Sequence, residues 1–188
     1  MASDIKIHHD LNFSNARNLI WYTGVYLCLP RIFMSIVRKK LVHHPLVESV
    51  LIPLQVVTDP VSKRSININI TDRYFFIGTK KELNSETDIG LGGYAHSITL
   101  LRNREKSDTP SKINIESIQH VINTHIRQRY SNIQEDVTVH ITGGTFKDWY
   151  GVVEKKIISN PDTVHVRFNS DEYSYSTDMP TALCKTTY

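Results

Sequence analysis

The sequence predicts an α+β protein built in two parts, an antiparallel sheet carrying helices followed by a small β-barrel. Three observations predict it. Two stretches in the first two thirds repeat their apolar residues at helical period. Between and around them lie strand-sized apolar runs rather than a second set of helices. After residue 135 the helical rhythm stops, and only short alternating segments separated by turn residues remain.

Residues 1–18 read as a polar tail. Leu19 to Leu29, with β-branched Ile20, Thr23 and Val25, reads as a buried strand. Pro30 suits a first helical turn, where its missing N–H costs nothing. Ile32, Phe33, Ile36, Val37 and Leu41 then form one face, and Arg38, Lys39 and Lys40 fall where positive charge favours the negative helix end. His43-His44-Pro45 stops the helix. Val47 to Pro53 is a second strand, and Asp59-Pro60 marks a loop or hairpin tip within Val56 to Arg64. Ile66, Ile68 and Ile70 alternate with Asn67 and Asn69 as in a half-buried strand. Arg73 to Gly78 and Tyr94 to Leu101 are further strands, with a glycine-bearing loop from Asn84 to Gly93. Asn114 can cap a helix whose stripe is Ile115, Ile118, Val121, Ile122 and Ile126. This order suggests helices on one face of an antiparallel sheet, related to the split βαβ, ferredoxin-like arrangement. Residues 129–135 read as a linker. The rest, 136–188, reads as several short strands closing a small barrel.

Composition narrows the function. The chain has 188 residues, 40% hydrophobic and 22% charged, which suits a folded domain pair rather than a disordered chain. A net charge of +3 permits nucleic-acid contact without the strong basic excess of a coating protein. Two distant cysteines, Cys28 and Cys184, offer neither a CxxC zinc ribbon nor a redox motif. A polar N-terminus and the absence of any long apolar run predict a cytoplasmic protein without export signal or membrane anchor. No P-loop, nucleophile elbow or His-Glu-x-x-His is present, so no enzyme and no cofactor are expected. The Gly90-x-Gly-Gly93 run lacks the helix a phosphate cradle needs, and Asp171-Glu172 reads as a solvated turn. His8, His9 and Asp10, like His43-His44, lack further converging ligands, so no metal is expected.

The segment Asp136-Val-Thr-Val-His-Ile-Thr-Gly-Gly-Thr-Phe-Lys-Asp-Trp-Tyr-Gly-Val-Val-Glu154 resembles the KOW motif. Gly143 and Gly144 would supply backbone angles closed to other residues. Phe146 would plug a barrel too small to fill itself. Gly151 would permit close backbone approach at a corner. Trp149 is either part of that core or an exposed contact, and its place on the loop between two strands favours exposure. Upstream, Ile20-Trp21-Tyr22 opens a strand, Val47 to Val57 passes through Ile52-Pro53, and Arg73-Tyr-Phe-Phe-Ile77 follows. A Thr109-Pro110 loop then precedes a helix. In order and spacing, residues 19–128 resemble the N-terminal NGN domain of the NusG family, and the barrel resembles its SH3-like KOW domain.

That resemblance implies a regulator of transcript elongation. Its N-terminal domain would dock an apolar patch on the RNA polymerase clamp and suppress pausing or termination. Its KOW domain would recruit a second partner, such as a ribosomal protein or a termination factor. Tyr74 matches the family's patch tyrosine and Ile52 and Pro53 the neighbouring strand end, while Phe76 lies in the same strand and could face either way; the alternative for Tyr74, and more so for Phe76, is ordinary sheet core. Arg73 stands where the family has Gly and Asp72 where it has Pro. The family's acidic residue at the first helix is replaced around Pro30-Arg31. These departures suit a specialised paralogue, operon-specific or phage-encoded. Lys63, Arg64, Arg102 and Arg104, with Lys106, fall in loops that could meet DNA or RNA, although Glu105 and Asp108 dilute the charge. The alternative reading is a ribosome- or RNA-associated KOW protein without polymerase affinity.

Overall fold

A computed structural model describes residues 6–9, 11–13, 15–84, 91, 94, 97–102, 109–160, 162–169 and 173–187. It separates into two compact units. The first comprises Met1–Pro53 and Thr71–Ile122, the second Leu54–Ile70 and Asn123–Tyr188.

The first unit is built on a six-stranded sheet. Its strands are β1 (Lys6–His8), β2 (Ile20–Tyr26), β3 (Val47–Leu51), β6 (Tyr74–Thr79), β7 (Ile98–Leu100) and β8 (Lys112–Ile113). The order is β1-β3-β6-β2-β7, with β8 also paired to β2. All pairings are antiparallel except β1 with β3. The first eighteen residues are therefore not simply a tail, because Lys6, Ile7 and His8 align with Ser49, Val50 and Leu51. A three-residue strand beside polar neighbours carries no periodic signal, and its pairing with β3 is long-range.

Helix α1 (Pro30–Lys39) begins with proline in its first turn. It buries Phe33, Ile36 and Val37. The Phe33 ring stacks on Tyr26 at 4.1 Å and tilts against Phe75 at 4.9 Å, fixing the helix to β2 and β6. Ile32, expected on the same face, is exposed instead. Helix α2 (Ile115–Asn132) starts where Asn114 Oδ1 accepts the Ser117 N–H at 2.6 Å. It buries Ile118 and Ile122 and continues through most of the expected linker. Gln128 to Asn132 contains neither Gly nor Pro to stop it.

In the second unit, β9 (Thr138–Ile141), β10 (Tyr150–Lys156), β11 (Thr163–Asn169), β12 (Ser174–Pro180) and β13 (Cys184–Thr186) form one antiparallel sheet, ordered β12-β11-β10-β9-β13. This hydrogen-bonded order has two ends, whereas the sequence predicts a closed barrel. The core includes Ile133, Val139, Ile141, Phe146, Val153, Val164, Val166, Phe168, Met179 and Leu183. Alternation explains the selection. Along β11, Val164, Val166 and Phe168 turn inward while His165 and Arg167 face outward or lie half-buried. Added to this sheet is the hairpin of β4 (Leu54–Thr58) and β5 (Ser65–Asn69), a two-stranded sheet of its own. Its Val57, Ile66 and Ile68 pack against the same core.

Candidate interaction sites

In the first unit, Tyr74 opens β6 immediately after a tight turn. Its N–H donates to Thr71 O at 3.1 Å, and Thr71 Oγ1 donates back to Tyr74 O at 2.9 Å. The positive φ this turn needs, 56°, falls on Asp72. An aspartate tolerates it better than a bulkier residue would, which accounts for a turn without glycine at Arg73. Tyr26 Oη donates to Asp72 O at 2.8 Å and holds the turn from β2. Tyr74 is half-buried. Ile52, Pro53 and Phe76 are buried, Phe76 because β6 lies between β3 and β2 and its side chains are packed along nearly its whole length. Of the four residues matched to a docking patch, Tyr74 is the one with substantial accessible surface.

In the second unit, the connection between β9 and β10 is tightly hydrogen-bonded. Asp148 N–H donates to Ile141 O and Ile141 N–H to Trp149 O, both at 2.8 Å, while Trp149 N–H donates to Phe146 O at 3.0 Å. Gly144 has φ +82°, and Gly143 does not share this feature, so only the second glycine is there for its backbone angle. Gly151 serves close approach, since a Cβ there would lie 2.8 Å from Arg167 O and 2.5 Å from a Val166 methyl.

This loop carries an aromatic cluster. Phe146 is 8% exposed and stacks on Phe168 with centroids 4.8 Å apart. Trp149 stands edge-on to Phe146 at 5.5 Å and to Phe168 at 5.9 Å. Tyr175 tilts over Phe146 at 5.6 Å. Trp149 is 51% exposed, and Tyr150, Tyr173 and Tyr175 are exposed too. The two inward rings thus support the exposed Trp149 and, at Phe146, Tyr175. On β10, β11 and β12 a polar network lies across the strands. His165 Nδ1 is 2.5 Å from Asp178 Oδ1, Arg167 pairs with Glu154 at 3.5 Å, and Ser176 Oγ donates to Glu154 at 3.2 Å. The sequence pattern alone did not reveal this network, because its members sit on three different strands.

The basic candidates are divided between the units. Lys63 and Arg64 are exposed at the turn between β4 and β5, and Lys63 Nζ donates to Pro60 O at 2.7 Å. Arg102 is exposed in the first unit, where it bridges to Pro110. Arg104, Lys106, Asp10, Asp171, Glu172 and the glycines 90, 92 and 93 lie outside the described residues. Among the described residues, no group of three or more His, Cys, Asp or Glu side chains is placed to hold a metal. Neither Cys28 nor Cys184 is in a disulfide, and the buried Cys184 donates its S–H to Pro180 O at 3.6 Å. No described helix is long and apolar enough to cross a membrane.

Electrostatics single out two buried groups. Burial, with Glu82 nearby, raises the Tyr22 hydroxyl above its usual value, against the lowering effect of its bond to the Leu83 N–H. Burial alone would raise Asp59, but hydrogen bonds from Ser62, Thr145 and Val61 outweigh it and hold the carboxyl at about 2.

No family model matches this chain, and no curated protein matches it. Two solved structures are similar over most of their length. One, described as domain interaction in Thermotoga maritima NusG, shares 11% identity over 90% of this chain and 98% of its own, with a TM-score of 0.31. The other, an MjSpt4:Spt5 complex in conformation B, shares 13% identity over 88% of this chain and 95% of its own, with a TM-score of 0.28. The similarity is remote, and no residue role passes from either protein to this one.

Proposed function

We propose that this protein regulates transcript elongation. On this reading the first unit is a ferredoxin-like NGN domain that binds the RNA polymerase clamp. The second is an SH3-like KOW barrel that binds another protein, such as a ribosomal protein or a termination factor. One observation carries the reading. Residues 136–154 combine an alternating strand, a positive-φ glycine at 144, an inward Phe146 and a close-approach Gly151 leading into the next strand. Those are the features that give the KOW-like sequence its physical sense. Upstream, Trp21-Tyr22, Ile52-Pro53 and Tyr74 follow in the family's order.

The docking role falls chiefly on Tyr74, the accessible member of the matched set, since Ile52, Pro53 and Phe76 are buried. An interface anchor of this kind loses most of its affinity when truncated. Mixing the purified protein with an RNA polymerase elongation complex and following co-elution tests the proposal. Wild type should co-elute, and Tyr74→Ala should not. Failure of the wild type to bind its own host's polymerase at low salt would overturn it.

The exposed Trp149, Tyr150 and Tyr175 favour one second reading. On that reading these exposed rings stack the bases of single-stranded RNA. A ribosome- or RNA-associated protein would bind RNA in steeply salt-dependent fashion and ignore the polymerase. Neither reading calls for a cofactor.

A further inference from the structure

The connection from β2 into α1 breaks two local rules. Leu29 is the N-cap residue of α1 and offers no side-chain oxygen to the first turn, and that turn holds Arg31 but no acid. A Ser, Thr, Asp or Asn cap, followed by an acid, would favour the helix. Aliphatic side chains also stay in water here. Leu27, Leu29 and Ile32 are 61%, 55% and 45% exposed, more than any other large apolar side chain among the described residues of the first unit. Single exposed leucines are ordinary, but neighbours in one short stretch form a patch.

The backbone holds this patch in place. Leu27 N–H donates to Ser97 O at 2.7 Å. Leu29 O accepts the N–H groups of Ile32 at 2.9 Å and Phe33 at 3.0 Å. Phe33 is packed on Tyr26 and Phe75, which fixes the roll of α1 and leaves Ile32 outside the core.

Charge indicates what the patch attracts. No Asp or Glu occurs between Asp10 and Glu48. Arg31, Arg38 and Lys39 are exposed along α1. Arg31 and Arg38 are two turns apart on one side of the helix, a rise of about 10 Å. Among the described residues none of these three cations has an ion-pair partner, whereas Glu48 is taken by Lys80 at 3.1 Å and Glu82 by Lys112 at 2.6 Å. A narrow cationic stripe that begins in an aliphatic patch is complementary to a single segment bearing both carboxylates and aliphatic side chains. A phosphate backbone would satisfy the cations and leave the aliphatic groups in water.

We propose that Leu27, Leu29 and Ile32, with Arg31, Arg38 and Lys39 alongside, form a docking surface for an acidic amphipathic segment of a partner protein. Aliphatic side chains of the partner cover the patch, and its carboxylates pair with the stripe on α1. Tyr74 is not part of this surface, which therefore stands or falls separately from the elongation reading.

Fluorescence anisotropy on the full chain tests it, with a labelled synthetic amphipathic helix carrying leucine on one face and glutamate beside it. That peptide should bind saturably, and a counterpart with glutamine for glutamate should bind on the order of ten-fold more weakly. Leu29→Ser should weaken binding by a similar factor while the melting temperature holds or rises, because serine is the better cap. Arg38→Glu combined with Lys39→Glu should weaken binding as well. In wild type, amide shift changes on adding the peptide should cluster within 27–40, and this mapping decides should a variant unfold. No binding of the glutamate peptide, undiminished binding by folded Leu29→Ser, or shift changes centred elsewhere would overturn the proposal. So would phosphatidylglycerol vesicles or a DNA duplex held by the same residues more tightly than the peptide.

Discussion

The Asp59 carboxylate accepts both the backbone N–H and the side-chain hydroxyl of Thr145 across 86 positions of sequence. A buried acid satisfied in this way is a pH-dependent fastener. Its carboxyl is held at about 2, against 3.8 for an ordinary aspartate. Because the folded value is the lower one, the stabilisation is complete above about pH 4 and is lost as pH falls through about 2. The difference corresponds to about 2 kcal/mol. Urea unfolding followed between pH 5 and pH 2 should show this loss in wild type, and Asp59→Asn should flatten that part of the profile.

Gly144→Ala should be harmful for two separate reasons. Its φ of +82° strains any L side chain, and the new methyl would collide with Asp59 Oδ2. A cost of roughly 2 kcal/mol or more is expected in urea unfolding. Gly143→Ala, whose added carbon would meet a Leu183 methyl at 3.2 Å but has no positive φ to strain it, should cost distinctly less.

The aromatic loop separates stability from recognition. Phe146→Ala removes a buried ring and should cost about 3 to 5 kcal/mol in unfolding free energy. Trp149→Ala removes a half-exposed ring resting on Phe146 and Phe168 and should cost about 1 kcal/mol. If this surface recruits the second partner, the Trp149 variant should keep its fold by circular dichroism and lose that partner in a pull-down.

At the surface, Lys112 and Glu82 meet at 2.6 Å. The hydrogen bond to Glu82 raises the Lys112 ammonium above its usual value. Exposure nevertheless makes the pair weak. Lys112→Met should leave the melting temperature nearly unchanged, which differential scanning calorimetry would check.

Much of this architecture is readable from local pattern. The Ile66-Asn67-Ile68 alternation marks β5, Asn114 marks the start of α2, and Pro30 marks the start of α1. At the loop after β9, Phe146 is buried and Trp149 half-exposed, an outcome the sequence leaves open for the tryptophan. What escapes the sequence is long-range. Lys6 to His8 become a strand only because β3 offers them an edge. Ile52 and Phe76 are both buried; for Phe76 the apolar run of its strand left core and patch open, and only the placing of β6 between β3 and β2 decides. Asp59-Pro60 announces a turn, but nothing near it announces Thr145. The Glu154, His165 and Asp178 network likewise exists only once three strands are in register.

The most direct test of the proposed role is a pausing assay. Elongation complexes of the host polymerase are walked along a template with defined pause sites, with saturating wild-type protein, with Tyr74→Ala, or with neither. The account predicts shorter pauses with wild type and pauses of unassisted length with the variant. Identical pause lifetimes in all three would contradict it.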